Sequence, residues 1–313
     1  MDWRPVVNAV FKGTRPTPNP KHAHYSIATP ATLDPKVLLD LKRCLERLAD
    51  SSAELGEFLS VFVPWAIDAL NTLPPSNEKA QKCREGVIDC ISLLPSLGEA
   101  VKPFLEALAI AMLKVLWEDN EANALVAMHI YMEFHKVFRS AVESSVQPFL
   151  DFVLRLLDNY ANIAESLVAG NLKPAPNKHS LSALNSVRII IESPVTVVLL
   201  FQLHRKFIND NILRFVPLII RILGISIVAP PLLDSHSIGL IRDLSGINGQ
   251  IRGASRQAYC DFIQAKVKVL SFLAYVSRSF ASALKPHQSA IPFFVIDILK
   301  NCPPESASAR KVL

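Results

Sequence analysis

The chain has 313 residues, half of them hydrophobic, with only ten glycines and 8% aromatics; that supplies a sizeable core and argues against an all-β fold. Its formal charge of +5 is scattered, with no dense basic block, so a nucleic-acid interface is not indicated. Five cysteines (Cys44, Cys83, Cys90, Cys260 and Cys302), odd in number and without a CxxC pair, exclude a disulfide framework and suit a reducing compartment.

Residues 1–34 are rich in Pro, Thr and His and show little periodicity, so they read as a flexible leader. They carry no apolar signal core. His22 and His24 form an HxH pair, but no nearby carboxylate or thiol completes a metal site. At residue 35 the pattern changes. Asp34 and Pro35 fit an N-cap and first helical position, and Leu38, Leu41, Leu45 and Leu48 fall on one helical face.

From there to residue 313 helix and turn alternate, and one phrase recurs. "FVPWAIDALNTL" starts at Phe62, "VKPFLEALAIAML" at Val101, "VQPFLDFVLRLLDNY" at Val146, "RFVPLIIRIL" at Arg214 and "AIPFFVIDILKN" at Ala290. Proline is cheap in a helix's first turn and costs about 3 kcal/mol inside it. Pro64, Pro103, Pro148, Pro217 and Pro292 are therefore expected to open the second helix of successive hairpins, with Trp65, Phe104 and Phe149 plugging the core behind them. The intervals 64→103→148→217→292 are 39, 45, 69 and 75 residues. The first two match the HEAT/armadillo period; the longer two imply inserted loops, near 168–186 and 224–257.

Within this array, Cys83 and Cys90 share a face and are expected in the core. Val126, Ile130, Phe134 and Val137 are expected to face in, with His129, Glu133 and Lys136 facing out and His135 on a different face from His129. In the next helix Val146, Phe149, Leu150, Val153 and Leu157 form the inner stripe, and Asp151 and Arg155 an i,i+4 pair on the wet side. "SPVTVVLLFQL" (193–203) has strand-like β-branched content, yet Ser193 and Pro194 fit a helix start and the repeat needs a helix there. His204, Arg205 and Lys206 sit at its end, where positive charge complements the helix dipole. "ILGISIVAPPLL", closed by Arg221 and Asp234, is too short and too proline-rich to span a membrane.

No catalytic, cofactor-binding or metal site is predicted. In "IRDLSGIN", Asp243 and Asn248 have the spacing of a kinase catalytic loop, but Ile241 replaces the usual His and no glycine loop lies upstream. Gly246, Gly249 and Gly253 lack phosphate-loop spacing. Small-molecule substrates and cofactors are not implied.

Several segments resemble the N-terminal HEAT region of the TRRAP family, the transcription-associated pseudokinases related to PIKK kinases. They include "EDNEANALVAMHIYMEFHKVFRS" with "VQPFLDFV", and "ESPVTVVLLFQLHRKF" with "RFVPLII". "YCDFIQAKVKVLSFLAYVSR" and "LKNCPPESASARKVL" are the most specific. The likeness covers roughly residues 80–313. It implies a large nuclear scaffold shared by SAGA-type and NuA-type histone acetyltransferase complexes, whose helical array receives transcriptional activators and whose kinase-like domain is catalytically dead. FAT, kinase-like and FATC regions are not in this chain. None of the family's activator contacts can be carried to individual positions here.

The expectation is therefore an all-α, HEAT/armadillo-like α-solenoid of stacked helical hairpins over 35–313, cut mid-repeat at its C-terminal end. It would act in the nucleus as a non-catalytic protein-interaction scaffold, with protein partners and no membrane. A HEAT-type nuclear transport receptor or a phosphatase scaffold is the alternative.

Overall fold

The computed structural model describes residues 35–48, 52–76, 78–168, 182–225 and 249–303. They form eleven α-helices, and the fold is all-α, as expected of a helical-hairpin array. The leader, most of the expected loops near 168–186 and 224–257 (169–181 and 226–248), and the last residues fall outside the described residues; Val168 and Gly224 end helices, and Ala183–Asn185 form a 3-10 turn. Residues 249–257, expected in the second loop, are helical. Gln250, Arg252, Ala254, Arg256 and Gln257 are good helix formers that carry the helix across Gly253.

The chain divides into two compact units. One comprises Met1–Pro148 with Asn177–Ala183, the other Phe149–Pro176 with Leu184–Leu313. In the first unit, α1 (Pro35–Leu48), α2 (Ser52–Thr72) and α3 (Glu78–Ile91) pack together. A 3-10 stretch, Leu94–Phe104, leads into α4 (Leu105–Glu118), which packs along α5 (Glu121–Val137) after the two-residue turn Asp119–Asn120. All four leucines of the α1 stripe are buried, as are Cys83 and Cys90 of α3. In α2, Phe58 stacks on Phe62 with centroids 5.5 Å apart, and Trp65 beside them is buried.

The second unit contains α6 (Val146–Val168) from Phe149 onward, α7 (Val187–Leu203), α8 (Ile208–Gly224), α9 (Gly249–Ser279), the short α10 (Ala281–Leu284) and α11 (Ile291–Asn301). Its core is aromatic. Phe215 meets the rings of Phe201 and Phe272 edge-on at 6.1 and 5.7 Å, joining α7, α8 and α9. Tyr160 of α6 packs edge-on against Phe262 at 5.0 Å and donates its hydroxyl to the Phe262 carbonyl. Among the described residues no single helix is long and apolar enough to cross a membrane; α7 and α8 turn by 116° at His204.

The inner stripe of α6 is as predicted, with Phe149, Leu150, Val153 and Leu157 all buried. Its outer face pairs differently. Asp151 meets Arg214 of α8 at 2.8 Å, and Arg155 lies 3.7 Å from Asp158, which also meets Arg221 at 3.0 Å. In α5 Ile130 and Phe134 are buried as expected, together with Ala124, Ala127, Met128, Tyr131 and His135, and His129, Glu133 and Lys136 are exposed as expected. Val137, expected inside, is 53% exposed. Val137 follows Glu133 by four residues and so lies on the flank of the wet face that His129, Glu133 and Lys136 mark.

The proline rule holds for three of five cases. Pro103 lies in the 3-10 stretch just before α4, and Pro148 and Pro292 lie in the first turns of α6 and α11. Pro64 and Pro217 instead sit inside α2 and α8. Both are exposed, as are Ser60 and Leu213, whose carbonyls they leave without a helical donor. Water can satisfy such carbonyls, and a proline on the wet side suits the outward curve of a helix wrapped on a core.

Pro194 also corrects the sequence reading. The helix over 193–203 is real, but it starts seven residues before Pro194, capped by Ser186, whose hydroxyl accepts the Ile189 amide at 3.2 Å. Pro194 is thus in the helix interior and buried. The Ile190 carbonyl, which it deprives of a donor, is buried too and cannot use water. The Ser193 hydroxyl donates to it at 3.2 Å.

Candidate functional site

Of the residues weighed for chemistry, His22, His24, Asp243 and Asn248 lie outside the described residues. His129 is exposed and His135 fully buried, on different sides of α5. His204 is the C-cap residue of α7, its amide donating to the Leu200 carbonyl at 2.7 Å, while Arg205 and Lys206 are exposed beyond it. All five cysteines are free thiols and four are buried. Among the described residues no three His, Cys, Asp or Glu side chains are placed to hold a metal ion.

Three polar clusters escaped the sequence reading. In the first unit Arg84 of α3 donates Nε to Asp119 Oδ2 at 2.7 Å, with both side chains at most 2% exposed. Its Nη1 donates to the carbonyls of Leu70 and Leu73 at the end of α2. The other carboxylate oxygen, Asp119 Oδ1, accepts from the Asn120 amide and from the side-chain amides of Asn120 and Asn123. Asn120 caps α5 by accepting the Asn123 amide at 3.0 Å. The Asp119 carbonyl accepts from Ala183, beside an antiparallel bridge between Asn120 and Ser182. One charge pair thus ties α2, α3, the α4–α5 turn and a returning segment. The signal was present: Ala80, Arg84, Val87 and Ile91 form an apolar stripe broken by one charge.

The second cluster has residue types that suit nucleophilic catalysis, Ser145 beside His135 with Oγ 3.3 Å from Nε2. Its setting is structural. Ser145 Oγ donates to the Val142 carbonyl at 2.7 Å, and the Tyr131 hydroxyl donates to the Ser145 carbonyl at 2.9 Å. Tyr131 and His135 are fully buried and Ser145 is 3% exposed, so no substrate reaches the hydroxyl. Burial pushes the Tyr131 phenol up, against the opposing Ser145 hydrogen bond.

In the second unit Lys266 of α9 is buried. Its Nζ donates to the Ile225 carbonyl at 2.8 Å, just past α8, and to Asp297 of α11 at 3.3 Å. Asp297 also accepts from Asn301, whose carbonyl accepts the Tyr259 hydroxyl at 2.6 Å. Desolvation lowers the Lys266 pKa, opposed by Asp297. This clasp holds α11 to α9 along one edge. Along the other edge a groove of about 300 Å³ remains open, with Val267, Leu270 and Ala274 of α9 on one wall and Ile291 and Val295 of α11 on the other. Beyond Val295, α11 presents Phe293 (72% exposed), Ile296 (47%) and Leu299 (44%) outward. The arrangement offers an apolar surface for binding; it places no nucleophile or acid–base pair.

Similarity to known proteins agrees with that character. The family model described as the Tra1 HEAT repeat central region matches residues 258–313, the segment that contains the groove. The human transformation/transcription domain-associated protein is 25% identical over 320 residues, covering 92% of this chain. The SAGA complex/NuA4 acetyltransferase complex subunit TRA1 of Saccharomyces cerevisiae is 25% identical over 314 residues, covering 85%. Over most of its length the chain is similar to members of the TRRAP/Tra1 family. With the Dictyostelium discoideum probable transcription-associated protein 1, also 25% identical, the likeness covers 74% of the chain. The chain spans only 6–8% of the length of these TRRAP/Tra1 relatives. The matching model is named for the central HEAT repeats, whereas the sequence reading places the likeness in the N-terminal HEAT region. The all-α structure and the match to a HEAT-repeat model are both consistent with a HEAT-type solenoid.

Proposed function

We propose that this chain is a non-catalytic scaffold segment of a histone acetyltransferase coactivator assembly, acting in transcription in the nucleus. The likeness along most of the chain to a relative named as a SAGA and NuA4 subunit carries the reading. The structure supports it in kind. Repeat arrays bury a continuous core and hold out extended surfaces, and here large apolar side chains stand exposed in both units, Ile110 and Trp117 in the first and Phe293 and Ile296 in the second. The partners are proteins: other subunits of the assembly and the activators that recruit it. No step of chemistry is assigned to the chain, and no direct contact with nucleic acid.

Affinity capture of the tagged chain from nuclear extract, with mass spectrometry of the eluate, tests this. Recovery of acetyltransferase-complex subunits above an untagged control is the expected result. Recovery of import cargo or phosphatase subunits instead would overturn it.

A further inference from the structure

Two turns at one end of the second unit bring cations together. The α7–α8 turn carries Arg205 and Lys206; the end of α9 and the turn after α10 carry Arg278 and Lys285. Packing sets these turns side by side. Lys266 of α9 meets the Ile225 carbonyl just past α8, and Phe272, further along α9, meets Phe215, further back in α8. The two helices therefore run in opposite directions, and the start of α8 lies toward the end of α9, where α10 also packs on α8. Phe201, four residues before Arg205, has its ring 6.3 Å from that of Phe272, and Tyr275 stacks on the same Phe272 ring. Burial raises the pKa of the Tyr275 phenol and the charge of Arg205 opposes it, which sets the guanidinium beside the last turns of α9.

Arg205, Arg278 and Lys285 are exposed, and none forms an ion pair with a described residue. The chain has no Asp or Glu from Phe262 to Ile296, and none from Ser193 to Asn209. Asp210, in the first turn of α8, is the nearest acid along the chain to Arg205 and offsets one of the four charges. A guanidinium presents parallel donors that match phosphate oxygens, and a phosphomonoester carries about −1.5 to −2 at neutral pH where a carboxylate carries one charge. Two arginines from separate turns with a lysine beside them suit that doubly charged group better than a carboxylate. The nearby rings are already engaged: Phe207 lies under the Lys206 ammonium at 5.2 Å, and Tyr275 stacks on Phe272. A nucleic-acid strand uses free ring faces or a long basic track, and this compact patch offers neither.

We propose that this basic end of the second unit binds a phosphorylated serine or threonine of a partner protein, with Arg205 and Arg278 holding the phosphate and Lys285 adding charge at its edge. The proposal rests on the scaffold reading in taking the phosphate from a protein partner.

The full 313-residue chain is titrated by fluorescence anisotropy into labelled pools of short peptides, alike except for a central phosphoserine, serine or glutamate. The phosphoserine pool should bind saturably, about ten-fold or more tighter than either other pool, and more weakly as salt rises. Arg205→Glu and Arg278→Glu should each weaken that binding about ten-fold, whereas Arg139→Glu, the same change at an exposed position of the first unit, should not. All three side chains are exposed, so thermal melts should coincide. Glutamate bound as well as phosphoserine would make the patch a general surface for acids and overturn the proposal. So would no binding of any pool, or indifference to both arginine substitutions. A single-stranded oligonucleotide that binds more tightly than the phosphoserine pool, and is lost with Arg205→Glu, would give the patch to nucleic acid and overturn it too. Affinity capture separates this proposal from the scaffold reading: acetyltransferase-complex subunits recovered by a chain that binds no phosphoserine pool sink the patch and leave the scaffold.

Discussion

The hydroxyl of Ser193 donates to the carbonyl of Ile190, the acceptor that Pro194 has deprived of its helical amide. Both groups are fully buried. A proline ring on an exposed helix face leaves its orphan carbonyl to water; one in a core needs an internal donor, and here the preceding residue supplies it.

Removing that donor should therefore hurt. Ser193→Ala leaves a buried carbonyl unsatisfied and should cost about 1–3 kcal/mol in urea unfolding. In a Pro194→Ala background the new amide can make the helical bond, and the same change should cost under about 0.5 kcal/mol. An equal loss in both backgrounds would mean that the serine acts by packing alone.

Arg84 and Asp119 are each held by several hydrogen bonds and screened from solvent. Arg84→Met strands the carboxylate and should destabilise by about 3–5 kcal/mol. Arg84→Lys should recover only part, since one ammonium cannot reproduce the fork that reaches Asp119 and the end of α2. Breaking the exposed Lys102–Glu99 pair with Lys102→Ala should change stability by about 0.5 kcal/mol or less. Similar losses for the buried and exposed pairs would refute the tie between the helices.

Gly98 breaks the 3-10 stretch with φ +66° and ψ −144°, and a Cβ there would meet no atom within 4 Å. Its requirement is conformational. Gly98→Ala should cost about 1–3 kcal/mol. Gly98→Asn should be no better, because the ψ lies outside the left-handed helical region that Asn tolerates. A neutral Gly98→Ala in chemical denaturation would show that the chain turns there in another way.

Burial pushes the Cys90 thiol up to about 12, with Asp89 adding to the effect. The unfolded thiol ionises near 9, so between 9 and 12 the unfolded chain binds fewer protons than the folded one. Stability is thus intact below pH 9 and falls as pH rises through that window, by up to about 1.4 kcal/mol per pH unit from this group. Cys90→Ala should flatten the alkaline limb of the stability profile. Parallel alkaline limbs for the two chains would remove Cys90 as a contributor.

How far the sequence foretold this molecule depends on burial side. The stripe of α6 was readable because Asp151, Arg155 and Asp158 mark its wet face. The rotation of α5 was read only in part: Ile130 and Phe134 are inside and His129, Glu133 and Lys136 outside, but Val126 and Val137 flank that wet face and the polar His135 is buried. The proline rule rests on a cost that vanishes in the first turn, and it reads correctly at Pro148 and Pro292. It fails at Pro64, Pro194 and Pro217, where water or a neighbouring hydroxyl lowers the cost of an interior position. The groove could not be read at all. Its walls come from α9 and α11, some twenty residues apart, and only their packing reveals that Val295 lines a trough while Phe293 faces out.

The bridge from Asn120 to Ser182 has a consequence for how the protein is made. Roughly sixty residues separate the two partners, so a ribosome adding about 5–20 residues each second releases the second one roughly 3–12 s after the first. Until then the Asp119 carbonyl at the head of α5 faces water and the first unit lacks a piece of itself. A gene truncated between the two units, after Pro148, would leave that piece behind for good. Any expression boundary meant to isolate the first unit has to lie beyond Ala183.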